Sequence, residues 1–274
     1  MGSRPAESRD IVEGAGTIDL QEEGSHGALL LHGFGDTPQT LTLLAKRLKS
    51  AGYGVYAPLL PGHGRSMDAF LGSGADEWAQ AARGAFVEMR RRHKSVSVVG
   101  LSMGGALAVA LTAEVRDVPA LALIAPYVEM PRLLRAAAST HRLWGRFAGE
   151  ISAENMQSIH DPIEREKSLA YGSVTGSALY QLLKVVRRAR RALPDVKAPT
   201  LLIQSRDDPR CSQRGAEQAI EKLGAREKKL VWTEGAGHVI TVDYGRERVF
   251  GEVRSWLDTH ARRSAAAADS TAAT

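Results

Sequence analysis

An apolar run, Val96 to Val99, leads directly into Gly100-Leu101-Ser102-Met103-Gly104-Gly105, and a helical run, Ala106 to Ala113, follows at once. A serine with glycines two before and two after it, at a strand-to-helix junction, demands a turn so sharp that backbone meets backbone, and those flanking positions tolerate little more than glycine. Such a turn lifts the serine hydroxyl off the end of a strand. It also aims the N–H groups of the following helix at whatever reacts there. The plainer alternative, an ordinary serine in a glycine-rich turn, explains the glycines but not the strict strand-turn-helix context.

The rest of the chain supplies the sheet that such a turn needs. Short apolar runs at Ala28 to Leu31, Gly54 to Ala57, Val96 to Val99, Leu121 to Ile124, Leu201 to Ile203 and Leu230 to Trp232 read as buried strands. Amphipathic helices alternate with them: Leu41, Leu44, Ala45 and Leu48 share one face, as do Val249, Val253, Trp256 and Leu257. This alternation predicts an α/β protein with a mostly parallel sheet covered by helices on both faces. From Tyr127 to Val196 the alternation stops and no strand is evident; helical patterns at Met130 to Ala138 and Ser177 to Arg191 point to a small helical lid. The expected organisation is therefore a core of residues 1–126 and 197–263, a lid of residues 127–196, and a disordered tail of residues 264–274 rich in Ala, Ser and Thr.

Composition narrows the function. One cysteine, Cys211, excludes an intrachain disulfide, and the 274 residues suffice for a core without such staples. No apolar run approaches the roughly 18 residues of a membrane span, and the polar N-terminus shows no signal peptide, so a cytoplasmic protein without integral membrane association is expected. The net charge of +5 raises nucleic acid as a partner, through the basic runs at Arg90 to Lys94 and Arg187 to Arg191. No aromatic residue interleaves with either run, so solvated helix faces are preferred and no nucleic-acid partner is expected. The scattered histidines and single cysteine offer no metal-binding spacing, and no phosphate-cradling glycine loop is present, so neither a metal nor a cofactor is expected.

Three further segments fit the chemistry of an activated serine. His32-Gly33-Phe34-Gly35 follows the first strong strand, where a turn can aim the Phe34 N–H at the same point as the Met103 N–H, forming an oxyanion hole. His32 itself reads as a structural brace of that turn. His238, in Gly235-Ala236-Gly237-His238 after the last strand, is the best-placed general base. An acid to orient it lies after the strand Leu201 to Ile203, where Asp207 and Asp208 are both available.

With Leu31-His32-Gly33-Phe34, Pro58-Leu59-Leu60-Pro61-Gly62-His63-Gly64, Gly100-Leu101-Ser102-Met103-Gly104-Gly105 and Gly237-His238-Val239-Ile240-Thr241 in place, the chain resembles the α/β-hydrolase superfamily from about His26 to His260. Within it, the bacterial carboxylesterases and monoacylglycerol lipases with a small lid are most similar. The resemblance implies Ser102 as nucleophile, His238 as base, and Phe34 and Met103 as oxyanion donors. It also favours Asp208 over Asp207, because in that group an inward-packing apolar residue follows the acid by three positions, here Cys211; Pro209 departs from the group's pattern. The implied substrate is a small-molecule ester, and the small lid, long enough for only a few helices, predicts a short to medium acyl chain. The runner-up readings are other Ser-His-Asp chemistry, such as acyl transfer or carbon–carbon bond hydrolysis, and a non-catalytic binding protein on this scaffold.

Overall fold

The computed structural model describes residues 10–21, 24–115, 117–148, 150–152 and 157–272. The elements in chain order are β1 (Ile18–Leu20), β2 (Gly24–Leu31), α1 (Thr42–Ser50), β3 (Gly54–Ala57), α2 (Met67–Leu71), α3 (Ala75–Arg92), β4 (His93–Leu101), α4 (Met103–Glu114) and β5 (Leu121–Ile124). After these come α5 (Arg132–Ser139), α6 (His141–Ala148), β6 (Glu150–Ser152), α7 (Pro162–Glu166), β7 (Ser173–Thr175) and α8 (Gly176–Ala192). The chain closes with β8 (Thr200–Ser205), α9 (Gln213–Lys222), β9 (Lys228–Thr233) and α10 (Arg246–Ala272).

Seven strands form one sheet in the order β1-β3-β2-β4-β5-β8-β9, with β1 antiparallel to β3 and every other pair parallel. Both faces are covered, so the strands read as continuous apolar runs rather than as alternating ones. In β2, Leu29 and Leu31 face one core layer and Ala28 and Leu30 the other. The first layer is built with α3, α4, α8 and α9; the second is closed by Leu44, Ala45 and Leu48 of α1 and Val249, Phe250, Val253 and Leu257 of α10. Helix α4 is apolar all round and buried from Met103 to Thr112, as a helix enclosed between sheet and insertion must be.

Three expectations change. The segment read as strand-free contains β6 and β7, which pair antiparallel in a separate two-stranded sheet. Three-residue strands are too short to express a period of two, so nothing in the local pattern announces them. The sequence from residue 264, read as a disordered tail, continues α10 to Ala272. Its alanine run has the highest helix propensity, and extending a helix already formed avoids the cost of nucleation. Finally, α8 does not stand off as part of a lid alone: Leu179, Leu182, Leu183, Val185 and Val186 share the core layer of α4.

The basic runs find acids on the chain itself. Arg90 pairs with Asp117, Arg91 and Arg92 with Glu88, Arg188 and Lys184 with Asp76, and Arg190 with Glu129. Among the described residues no helix is long and apolar enough to cross a membrane.

Candidate active site

Parallel pairing brings the carboxyl ends of the strands to one edge, where α/β sheets place their sites. Leu31 lies opposite Gly100, so the turn after β2 meets the turn after β4; Ser205 lies opposite Thr233, so the loops after β8 and β9 meet as well. Ser102, at the β4–α4 turn, holds φ 55° and ψ −118°. A non-glycine residue in this conformation costs about 1–3 kcal/mol and persists only where neighbours over-determine it. Here the Ser102 N–H donates to the Ile124 carbonyl, while the Ser102 carbonyl accepts from Tyr127 and Ala106, so β5 braces the turn. A Cβ on Gly100 would lie 2.3 Å from the Gly104 carbonyl oxygen, and one on Gly104 would lie 2.0 Å from that of Leu31. The glycines are there because three backbones touch.

Ser102 Oγ lies 2.7 Å from His238 Nε2, and His238 Nδ1 lies 2.8 Å from Asp208 Oδ2. The carboxylate can only accept, so Nδ1 carries the proton; Nε2 of the neutral ring is then the acceptor, and the Ser102 hydroxyl donates to it. The side chains of His238 and Asp208 are 5% and 0% exposed; Ser102 is only half-buried, which leaves its oxygen within reach of a substrate. Asp208 is held from both sides: Oδ1 accepts the Arg210 and Cys211 N–H groups, and Oδ2 accepts Gln204 Nε2 at 2.7 Å besides His238. Burial pushes the Asp208 carboxyl up, but the His238 imidazole and the Cys211 and Arg210 N–H groups outweigh it, and the net displacement is below the ordinary value.

Asp207 points elsewhere. Its Oδ2 accepts the Gly235 N–H at 2.7 Å, which ties the acid loop to the start of the His238 loop. Cys211 packs inward with its sulfur against the Ala125 and Pro126 carbonyls. Among the described residues Asp208, Cys211 and His238 form the one trio with metal-ligand chemistry, their ligand atoms within 4.8 Å of one another. Each Asp208 oxygen already accepts two hydrogen bonds, and the Cys211 sulfur faces the Ala125 and Pro126 carbonyls.

The turn after β2 is fixed by His32, fully buried, whose Nδ1 donates to the Gly33 carbonyl and whose Nε2 accepts the Leu60 N–H at 3.1 Å. Burial and the neighbouring His63 ring hold the His32 imidazole well below its usual value, as a neutral brace requires. The Phe34 ring meets Phe70 and Trp78 edge-on at 5.2 and 5.9 Å between centroids. Among the described residues no intrachain acceptor is found for the N–H of Phe34 or of Met103. Gly33 sits against Ser102: a Cβ built there would lie 3.4 Å from the Ser102 Cβ.

Three contributors escaped sequence reasoning. Gln204 is the second donor on Asp208 Oδ2, Asp243 binds the His238 loop, and Asp36 lies buried beside Gly33. Buried polar residues in apolar surroundings are the only sequence signal such groups leave, and it does not say what they bond. Asp36 accepts the Thr37 N–H and the Thr40 hydroxyl, yet burial dominates and pushes its carboxyl up to about 6. Between the unfolded value of 3.8 and that value the folded state keeps a proton that the unfolded chain has lost, so this group's contribution to stability falls as pH rises. Asp36→Asn keeps both hydrogen bonds, because Thr40 can accept from the amide and donate to the Thr37 carbonyl. The stability of wild type relative to D36N is expected to fall by up to about 3 kcal/mol between pH 4 and 6 and to level off above. Denaturant melts of both proteins across that range measure it, and a difference independent of pH refutes it.

A mostly parallel sheet wrapped on both faces, with a strained serine at the central turn and an imidazole and carboxylate delivered from the loops after the last two strands, defines an α/β-hydrolase of the serine type. The chain belongs to the family described as serine aminopeptidase, S33, whose model matches residues 26–244. It is similar to the thermostable monoacylglycerol lipase of Bacillus sp. (strain H-257), with 26% identity over 256 residues that cover 93% of this chain and 99% of that one. The carboxylesterase of Bacillus subtilis (strain 168) is 24% identical over 238 residues, covering 86% of this chain and 93% of the relative. A solved structure from work on LipS and LipT, two metagenome-derived lipolytic enzymes, superposes with a TM-score of 0.81 at 28% identity, covering 91% of this chain and 100% of the other.

Proposed function

We propose that the protein hydrolyses small carboxylic esters, monoacylglycerols among them, through an acyl-enzyme on Ser102. The observation that carries this is the unbroken chain from Ser102 Oγ through His238 to Asp208, beside the N–H groups of Phe34 and Met103, for which no acceptor is found among the described residues. His238 Nε2 takes the hydroxyl proton as Ser102 attacks the ester carbonyl, and the two N–H groups receive the developing oxyanion. The imidazolium, steadied by Asp208, gives the proton to the departing alcohol. The same ring then activates water against the acyl-enzyme, and collapse returns the free serine and the acid. The relatives named for monoacylglycerol and carboxyl ester hydrolysis, aligned over nearly the whole chain, support an ester as the substrate. A fold that needs no disulfide supports a cytoplasmic setting.

The segment between β5 and β8 acts as a small lid over this end of the sheet. Its backbone is tied to the oxyanion turn, by the Tyr171 N–H on the Gly35 carbonyl, and to the His238 loop, by the Val239 N–H on the Ser158 carbonyl. Val128, Met130 and Ile159 of the segment are buried, while Leu133 and Leu143 are exposed. A short apolar cleft gains up to about 0.8 kcal/mol per methylene buried, until it is full. Over a series of p-nitrophenyl esters kcat/KM is therefore expected to rise through the short acyl chains, peak at medium length and then fall, with monoacylglycerols cleaved in preference to emulsified triolein. Preferred hydrolysis of triolein, activated at the oil–water interface, refutes the lid reading; no turnover of any ester refutes the function.

A further inference from the structure

Asp243 is fully buried, and its carboxylate accepts four backbone N–H groups. Gly237 and His160 donate to Oδ2 at 2.7 and 2.8 Å; Asp161 and Tyr244 donate to Oδ1 at 2.9 and 2.8 Å. Among the described residues no cation pairs with it, so backbone dipoles alone meet its charge. Charge-assisted bonds of this kind are about twice as strong as neutral ones, and four on one buried group fix everything that donates to it.

Tyr244 is the neighbour of Asp243 in the chain, and the other three donors come from two places. Gly237 immediately precedes His238, while His160 and Asp161 belong to the segment between β5 and β8. Asp243 therefore staples that segment to the loop carrying the imidazole. The seam is reinforced by the Val239 N–H on the Ser158 carbonyl and by His160 Nδ1 on the Gly235 carbonyl. It is also close: a Cβ on Gly237 would lie 2.6 Å from the Ser158 oxygen. Ser158 Oγ in turn accepts from Nε of Arg210, two residues beyond Asp208. One short stretch, residues 158–161, thus touches both the loop of the imidazole and the loop of its acid.

We infer that Asp243 is a positioning residue for the reaction at Ser102: by holding the Gly237 N–H against residues 158–161, it sets the imidazole of His238 between Ser102 Oγ and Asp208. It touches neither substrate nor reacting atoms. The inference rests on the proposed role of His238 as base. Loss of the staple leaves the binding surface in place but lets the imidazole drift, so the cost falls on kcat and not on KM.

Asp243→Asn tests this. The amide has one acceptor oxygen, so in either orientation two of the four N–H groups face another donor. Gly237→Ala opens the same seam from the opposite side by its contact with Ser158, while Asp243 stays intact. Each is compared with wild type by saturation kinetics on p-nitrophenyl butyrate and by the rate of phosphonate labelling at Ser102, at a temperature where near-ultraviolet circular dichroism shows the variant folded. For D243N, kcat and the labelling rate are expected to fall together by about 10²-fold, the cost of a misplacement near 1 Å, with KM within about threefold of wild type. G237A is expected to show the same split. A folded D243N with wild-type kcat and labelling rate, or with a change in KM alone, overturns the inference; if D243N does not fold, the same outcomes in G237A overturn it. A wild type that neither turns over the ester nor takes the phosphonate overturns the proposed role of His238, and this inference with it.

Discussion

Ser102→Ala is expected to lower kcat for a p-nitrophenyl ester by about 10⁶-fold, the loss seen when the nucleophile of a serine-based site is removed. Alanine removes the oxygen that His238 Nε2 meets at 2.7 Å, yet leaves the turn's bonds to Ile124, Tyr127 and Ala106 in place. The thermal midpoint should therefore move little while turnover collapses. A residual rate from the oxyanion donors and substrate binding is expected to survive at about 10³–10⁴ over water. Phosphonate labelling, stoichiometric in wild type, should vanish. Substantial esterase activity in a folded S102A protein would show that another group attacks the ester.

The second large effect separates two adjacent carboxylates. Asp208→Asn is expected to lower kcat by about 10⁴-fold, in line with the acid of comparable sites, and Asp207→Asn by less than about tenfold. Asp208 Oδ1 receives two backbone N–H groups, so the asparagine oxygen stays there and its –NH2 takes the place of Oδ2. That amide faces His238 Nδ1 as a donor and makes Nδ1 the acceptor, which moves the ring proton to Nε2. The imidazole then points a proton at Ser102 and cannot take one. Asp207 has no such lever, since among the described residues its carboxylate accepts the Gly235 N–H alone, and it lies on the exposed side of the loop. Steady-state kcat for the two variants decides the matter, and a larger loss at Asp207 reverses the assignment.

Much of this molecule is written in short stretches of sequence, because the physics there is local. A strand buried on both faces must be apolar throughout, so all six strong strands are visible as runs, from Ala28 to Leu31 through to Leu230 to Trp232. The turn at Ser102 needs glycine on both sides, at Gly100 because the chain folds back on itself at Gly104 and at Gly104 because β2 lies against it, and this spacing announces a strand, a turn and a helix. What fails to show is either too short to carry a period or set by partners far along the chain. The strands β1, β6 and β7 have three residues each and gain their pairing only from neighbours.

The choice between Asp207 and Asp208 is of the second kind. Both sit in one loop with the same chemistry, and only the parallel register of β8 with β9 decides which carboxylate meets an imidazole 30 residues away. Gln204, Asp36 and Asp243 are ordinary polar residues in sequence. They matter because folding removes them from water and obliges each to find partners, and those partners are fixed by strand order and loop docking. The sequence by itself determined the serine, its turn, the candidate base and the layered α/β class, since each follows from local sterics and periodicity. Only the tertiary structure shows which carboxylate meets the imidazole, that Gln204 donates to it as well, and what staples the His238 loop, since each depends on groups that approach only when distant loops converge at one edge of the sheet.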